Sequence, residues 1–124
     1  MRTAICLAAF QDNEILLVRK KASWILPGGK PEIGEKEMEC LKREIREELN
    51  ANAVIFGFYG SFIGITPHKR DMLEARVYFG ELIGEINPSM EISEAKFVDN
   101  PYEYNLSDIT RKIMDSLKKD LYLK

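Results

Sequence analysis

The sequence has little of what marks disulfide-rich, zinc-binding or membrane-spanning proteins. Its 124 residues include two cysteines, Cys6 and Cys40, and one histidine, His68. Two cysteines are too few for a disulfide framework and lack partners at the spacing of a zinc site, which fits a reducing compartment such as the cytoplasm. No stretch approaches the roughly 20 apolar residues that a bilayer-spanning helix needs, so no membrane partner is expected.

An excess of charge of either sign is also lacking. Lys and Arg total 18 residues against 20 Asp and Glu, which gives a formal net charge of −2. Since nucleic-acid binding normally relies on clustered lysines and arginines, nucleic acid is not expected as a partner. The length and the 45% hydrophobic content predict a single globular domain over residues 1–124, as a monomer or a homodimer.

Stretches rich in β-branched and aromatic residues predict a mainly β framework. The turn-forming cluster Gln11-Asp12-Asn13 separates the first two stretches, which indicates a hairpin. The predicted strands cover residues 3–10, 14–19, 54–65, 74–82 and 95–98, and Trp24-Ile25-Leu26 leads into a specialised loop that begins with Pro27-Gly28-Gly29.

Two amphipathic helices accompany these strands. Residues 35–49 are rich in strong helix formers and have an apolar stripe at spacings of three and four residues, and Asn50 is predicted to end this helix. A second helix is predicted to begin after Ser107, which is a good N-cap. The predicted stripes are Met38, Leu41, Ile45 and Leu49 in the first helix, and Ile109, Ile113, Leu117 and Leu121 in the second. A mixed β pattern with one helix inserted and one at the end predicts an α/β layered sandwich.

The first predicted helix carries three glutamates on one face, because Glu47 and Glu48 follow Glu44 by three and four residues. Like charges at this spacing destabilise a helix by about 0.2–0.5 kcal/mol, and a cation bound between them would turn this repulsion into a net attraction. Oxygen ligands of this kind suit Mg²⁺, whereas zinc would prefer Cys and His. The simpler alternative is a solvated outer helix face, with Arg43 and Glu47 as a helical pair.

The loop before this helix helps to decide between a metal site and a solvated helix face. Gly29 is followed after six positions by Glu35, and after eight more by the segment Arg43-Glu44-Ile45-Arg46-Glu47-Glu48. This pattern, over residues 29–51, resembles the Nudix box G-x5-E-x7-R-E-U-x-E-E-x-G-U, in which U is a bulky aliphatic residue. A solvated helix has no need of so long a pattern.

Asn50 and Ala51 depart from the last two positions of the box, a glycine and an aliphatic residue. Neither change touches the acidic cluster, and Asn can adopt the left-handed conformation that glycine would supply. The resemblance implies the Nudix fold, an α/β/α sandwich with a mixed sheet, in which a Gly-rich loop leads into the acidic central helix.

The resemblance also implies hydrolysis of a nucleoside diphosphate linked to some group X, with Mg²⁺ as cofactor and Mn²⁺ as the alternative. It gives a role to each matching position. Glu44, Glu47, Glu48 and the Gly28 carbonyl would hold the metal, Arg43 would orient the glutamates, and Gly29 and Glu35 would shape the loop and brace it against the helix.

Further site residues are suggested by position alone. Glu44 is one candidate for the general base, and Glu91, in the loop before the last strand, is the other; a solvated loop acid is the alternative for Glu91. Residues expected near the substrate are Arg19, Lys20 and Lys30 for phosphates and Trp24 for a base, although surface charge and core packing explain such residues equally well.

Four functions remain open at this point. The leading hypothesis is hydrolysis of a nucleoside triphosphate, oxidised and noncanonical ones included, to the monophosphate and pyrophosphate. The second is cleavage of ADP-ribose or a dinucleotide polyphosphate, for which Pro67 is a hint because ADP-ribose-cleaving members tend to have a proline this far past the box. A non-catalytic nucleotide-binding module and removal of pyrophosphate from RNA 5′ ends are the others.

Overall fold

The chain opens with a β-hairpin. In the computed structural model, which describes residues 1–66 and 71–124, strand β1 (Arg2–Gln11) turns directly into β2 (Glu14–Lys20). Asp12 and Asn13 have positive φ values of 52° and 65°, as expected for a two-residue type I′ turn. The predicted hairpin is therefore confirmed.

The hairpin joins two groups of strands. On one side β1 pairs parallel to β6 and antiparallel to β4, and β6 pairs antiparallel to β5 at the edge. On the other side β2 pairs antiparallel to both β3 and β7. The remaining strands are β3 (Ser23–Ile25), β4 (Gly28–Gly29), β5 (Asn52–Ile65), β6 (Met72–Ile83) and β7 (Ile92–Val98).

Two helices cover opposite faces of this mixed sheet. Helix α1 (Glu37–Leu49) packs on the face that carries Ile5 and Leu7, whereas helix α2 (Asp108–Lys119) packs on the face that carries Ala8. Successive strand residues point to opposite faces, so β1 contributes to two separate cores. Burying strand residues on both faces explains why β1 and β2 read as nearly continuous apolar runs. The predicted α/β/α sandwich is confirmed.

Helix α1 begins two residues later than predicted, at Glu37 rather than at Glu35. Residues before it form a turn, in which the Glu35 amide donates to the Glu32 carbonyl at 3.0 Å and Gly34 has a φ of 79°. The apolar stripe also differs from the predicted one. Met38 is 47% exposed, and Cys40 takes its place as a buried residue beside Leu41.

Helix α2 starts as predicted and ends sooner. The Ser107 side chain accepts a hydrogen bond from the Thr110 amide, which confirms it as the N-cap. The predicted stripe was wrong at Leu121, which lies beyond the helix with 88% of its surface exposed and a φ of 68°. Leu123 is buried in its place, because the chain turns back after the helix ends.

Two residues considered from the sequence, Pro67 and His68, lie outside the described residues. The described part of the chain contains no helix with the length and apolar character that a membrane crossing requires.

Candidate functional site

Two glycines bring a strand into contact with α1. Gly28 has a φ of 147°, and a side chain there would overlap the Ile5 carbonyl of β1. A methyl group on Gly29 would overlap the Glu44 carboxylate. Strand β4 is therefore packed tightly between β1 and the acidic helix: Gly28 requires glycine, and a side chain at position 29 would displace the Glu44 carboxylate.

Glu44 and Glu48 lie one helical turn apart behind this strand. Glu48 is 8% exposed and accepts a hydrogen bond from the Gly28 amide at 3.2 Å. Burial raises the pKa of Glu48 to about 7, with a further rise from the charge of Glu44, against the lowering effect of the Gly28 amide. Burial likewise raises the pKa of Glu44, against the lowering effect of Arg43. Two neighbouring carboxyls whose pKa values are both raised form a place where a cation would be stabilised.

Arg43 connects the loop with the acidic face. Its Nε donates to Glu35 Oε2 at 2.8 Å and its Nη2 donates to Glu35 Oε1 at 3.0 Å, which makes a two-point pair. Its Nη1 donates to Glu44 at 2.9 Å and to Glu47 at 3.1 Å, and its Nη2 also donates to the Lys30 carbonyl at 3.1 Å. The Arg43 hydrogen bonds lower the pKa of Glu35 to about 2. Arg43 thus fixes the loop and two glutamates through one planar group.

Glu47 is the most exposed of the three glutamates predicted to bind the metal, with 43% of its side chain accessible, and it is held by Arg43. Within residues 1–66 and 71–124, no three Asp, Glu, His or Cys side chains are close enough to form a ready-made metal site. Burial raises the pKa of both Cys6 and Cys40 to about 12, so these thiols are protonated and are poor ligands. Carboxylate oxygens are the donors that this region offers.

The end of α1 is tied to the segment before β7. Asn50 takes the left-handed conformation, with a φ of 56°, and its side-chain amide donates to the Asn87 carbonyl at 2.7 Å. The Asn87 amide donates to the Leu49 carbonyl at 2.9 Å, and the Ser89 amide donates to the Glu48 carbonyl at 2.8 Å. The last carbonyls of the helix, normally unpaired, are thereby satisfied.

A cavity of about 470 Å³ opens on the other side of β4. Gly28, Gly29, Lys20, Lys30 and Glu91 are among the residues that line it. The acidic residues of α1 do not line it themselves; they adjoin it through the glycine strand and through the Lys20 and Glu91 charges, which act on Glu48. A ligand in the cavity would meet the acidic helix at this border.

Lys20 and Glu91 form an ion pair of 3.0 Å, with 42% and 69% of their side chains exposed. Lys20 lowers the pKa of Glu91, which makes this carboxylate a weaker base than an unpaired one. Both sequence-predicted residues are therefore at the cavity, but Lys20 must release Glu91 before it can act as a base.

Two predicted substrate contacts are not placed at the cavity. Arg19 pairs with Glu94 at 3.0 Å and is not among the cavity-lining residues. Trp24 is 8% exposed and belongs to the core, where its ring meets Tyr104 edge-on at 5.0 Å. A strand residue points to one face only, and the neighbouring strands decide whether that face is core or groove. Trp24 is therefore a core residue, whereas a substrate contact by Arg19 stays a prediction.

Comparison with known proteins identifies the family of the chain. The model of the NUDIX domain matches residues 1–116. The chain belongs to the Nudix family. Solved structures of Nudix proteins share the fold: the MutT protein from Methanosarcina mazei Go1 has a TM-score of 0.82 at 20% identity, covering 96% of this chain and 94% of that one.

Two curated relatives carry names that refer to different substrates. A Bacillus subtilis (strain 168) protein named "Putative 8-oxo-dGTP diphosphatase" is 32% identical over 83 residues, which are 65% of this Nudix chain and 53% of that protein. An "ADP-ribose pyrophosphatase" from Methanocaldococcus jannaschii is 30% identical over 95 residues, 72% of this chain and 56% of that protein. The chain thus spans about half the length of these relatives.

The sequence did not reveal the cavity wall that lies away from β4. Arg2, Ser107 and Thr110 line the cavity, yet they come from opposite ends of the chain. Ser107 was predicted only as a helix cap, and a lone arginine near the first strand carries no pattern. These positions depend on the sheet and α2 being assembled around one space.

Proposed function

We propose that this Nudix chain hydrolyses the pyrophosphate bond of a nucleoside triphosphate, oxidised and noncanonical ones included, to the nucleoside monophosphate and pyrophosphate. One observation supports this most strongly. The buried carboxyl of Glu48 and the half-buried carboxyl of Glu44 adjoin a cavity of nucleotide-binding size that is bordered by Lys20 and Lys30. The carboxyls suit a divalent cation, and the lysines suit phosphates.

We further propose Mg²⁺ as the cofactor, with Mn²⁺ as a substitute, held by Glu44, Glu47, Glu48 and the Gly28 carbonyl. The residues present fit such an ion, because their donors are oxygens and burial together with the neighbouring carboxylates raises the pKa of Glu44 and Glu48. Mg²⁺ usually shares one or two carboxylates with substrate phosphates, so a ready-made cluster of three is not required. When bound, such an ion polarises phosphate oxygens and lowers the pKa of a coordinated water.

The protein's own groups then have separate tasks. Arg43 keeps Glu44 and Glu47 in position through hydrogen bonds of 2.9 and 3.1 Å. Lys20 and Lys30 offset phosphate charge at the cavity border. Glu44 is the preferred acceptor for the proton of the attacking water because it touches the glycine strand, and Glu91 is the second candidate.

A second candidate substrate is ADP-ribose, supported by the name of the Methanocaldococcus jannaschii relative. The pyrophosphate bond and the chemistry at phosphorus would be the same. The two candidates differ in the group beyond the second phosphorus.

A panel of nucleoside triphosphates, 8-oxo-dGTP, ADP-ribose and diadenosine polyphosphates, incubated with Mg²⁺ and followed by mass spectrometry, tests these proposals. The variant Glu48→Gln is compared with Glu81→Gln, which changes an exposed glutamate on β6. We expect the wild type and Glu81→Gln to release monophosphate and pyrophosphate, and Glu48→Gln to release none. Full turnover by folded Glu48→Gln would refute the metal assignment, and binding without hydrolysis by the wild type would favour a non-catalytic module.

A further inference from the structure

An irregularity in the sheet directs Lys20 toward the loop before β7. Strands β2 and β7 pair regularly as far as Arg19 and Glu94. The register then shifts by one residue, and Lys20 pairs with Ile92. Shifts of this kind re-aim side chains. Here the shift places Lys20 beside Glu91, with which it forms the ion pair of 3.0 Å.

The same loop is fastened to the acidic helix. The Ser89 amide donates to the Glu48 carbonyl at 2.8 Å, and Glu91 follows two positions later. On the cavity side, the Gly28 amide donates to the Glu48 carboxylate at 3.2 Å. Gly28, Lys20 and Glu91 all line the cavity. The Lys20 ammonium is therefore held where the cavity borders the acidic face.

The positive charge of Lys20 acts on the two carboxyls nearest the glycine strand. Burial raises the pKa of Glu44 and of Glu48, and the Lys20 charge opposes this rise at both. These are two of the carboxyls that hold a divalent cation in the proposed function. A lysine and a divalent cation beside the same carboxylates repel each other, so the two compete.

Lys20 is free to move in a way that Arg43 is not. Arg43 also lies at the acidic face, but it donates to Glu35 through two nitrogens and to the Lys30 carbonyl. Lys20 is paired with Glu91 while 42% and 69% of the two side chains are exposed. Exposed ion pairs contribute little to stability, and the lysine stem is flexible. Lys20 can therefore leave its present place at little cost in free energy.

We propose that Lys20 supplies the positive charge of the acidic face in the metal-free protein and moves to the substrate phosphates when Mg²⁺ binds. This inference rests on the proposed function for the metal and for the phosphates. Lys20 then weakens Mg²⁺ binding in the absence of nucleotide, and it strengthens the binding of the nucleotide. Its movement also releases Glu91, the second candidate for the general base.

Calorimetric titration of Mg²⁺ without nucleotide, at fixed ionic strength, tests the competition. The variants are Lys20→Met, Lys20→Gln as a second neutral change, and Lys20→Arg, which keeps the charge. Lys21→Met is the matched control, because it removes the same charge from the next position, which is also exposed.

We expect Lys20→Met and Lys20→Gln to bind Mg²⁺ about three- to tenfold more tightly than the wild type. Coulomb's law gives a change of about this size for one positive charge near a divalent ion in an exposed site. Lys20→Arg and Lys21→Met should stay within about twofold of the wild type, since the first keeps its charge and the second loses a charge that solvent screens.

Tighter binding would also follow if Lys20→Met merely released Glu91 as an additional ligand. The double variant Lys20→Met with Glu91→Gln removes this explanation when it is compared with Glu91→Gln alone. We expect the double variant to bind Mg²⁺ more tightly than Glu91→Gln by a similar factor. Equal affinities of these two variants would overturn the proposal.

Binding of ADP in EDTA tests the contact with phosphates. Lys20→Met should bind ADP about three- to tenfold more weakly than the wild type, and Lys20→Arg should keep the wild-type affinity. A purely structural role of Lys20 would weaken the binding of metal and nucleotide together. Unchanged ADP binding, or Mg²⁺ binding by Lys20→Met that is no tighter than that of the wild type, would overturn the proposal.

The outcomes also separate this inference from the proposed function. If the two affinities change in opposite directions as expected but no nucleotide is hydrolysed, the proposed function fails and the inference stands. If neither the wild type nor Lys20→Met binds Mg²⁺ without nucleotide, the inference fails, and the hydrolysis panel decides the function by itself.

Discussion

Replacing Glu48 by Gln is expected to stabilise the metal-free protein while it removes activity. Glu48 is 8% exposed and accepts one hydrogen bond, from the Gly28 amide at 3.2 Å. Gln has nearly the same shape and retains a carbonyl oxygen for that bond, but it carries no charge. The substitution therefore removes a buried charge without leaving a hole.

The size of the gain follows from the pKa of Glu48, which burial raises from the ordinary 4.5 to about 7. Between these two pH values the folded protein holds a proton that the unfolded chain has released, so the free energy of unfolding falls as pH rises. Each pH unit of difference is worth about 1.4 kcal/mol, so above pH 7 the ionised group costs about 3 kcal/mol at most. Below pH 4.5 the cost is absent.

Urea unfolding in EDTA at pH 4.5 and at pH 8 measures this difference. Glu48→Gln and the wild type should be about equally stable at pH 4.5, and the variant should be more stable by about 2–3 kcal/mol at pH 8. Added Mg²⁺ should raise the stability of the wild type more than that of the variant. A variant that is no more stable than the wild type at pH 8 would show that Glu48 is not held in an unfavourable ionised state.

Three further predictions concern the surroundings of the acidic face. Gly29→Ala should lower kcat/KM about 100-fold and stability by about 1–3 kcal/mol, because its methyl group overlaps Glu44, whereas Gly57→Ala, where nothing lies within 4 Å, should be neutral in both assays. Arg43→Lys should lower the free energy of unfolding in urea by about 2 kcal/mol and reduce kcat, since one ammonium group cannot make both hydrogen bonds of the guanidinium to Glu35. An unchanged unfolding midpoint would show that this pair does not stabilise the loop. Asn50→Gly should cost about 1 kcal/mol through lost side-chain hydrogen bonds, and Asn50→Ala about 1 kcal/mol more through its φ of 56°; the reverse order in thermal unfolding would be inconsistent with this cap.

The layered fold could be predicted because its local signals agree with its tertiary contacts. The hairpin turn at Asp12 and Asn13 needs positive φ values, and both residue types tolerate them. The errors lie near the ends of the two helices, where contacts with the rest of the chain override helix propensity. Met38 and Leu121 continue the helical spacing, yet Met38 is exposed in the first turn of α1 and Leu121 lies beyond the end of α2.

The acidic site was predictable to the extent that its parts are close in sequence. Glu35 reaches Arg43 across eight positions, and Glu44 and Glu48 are on one helix, so a pattern within residues 29–51 contains them. The rest depends on distant strands. Arg2 and Thr110 share one cavity only after the sheet and α2 are assembled, and Trp24 was misassigned because the sequence does not say which face of β3 is buried.

The hydrogen bonds between the end of α1 and residues 87–89 limit which loops of this protein can be exchanged separately. Asn87 and Ser89 take up the last carbonyls of α1, and Glu91 follows two positions later. Exchanging the Glu91 loop with that of a relative would therefore also replace the groups that finish the helix. An exchanged segment should include residue 50 and residues 87–91 together. If only one of these parts were exchanged, the last carbonyls of α1 would lose hydrogen-bond donors and the Glu48 side chain would be held less firmly.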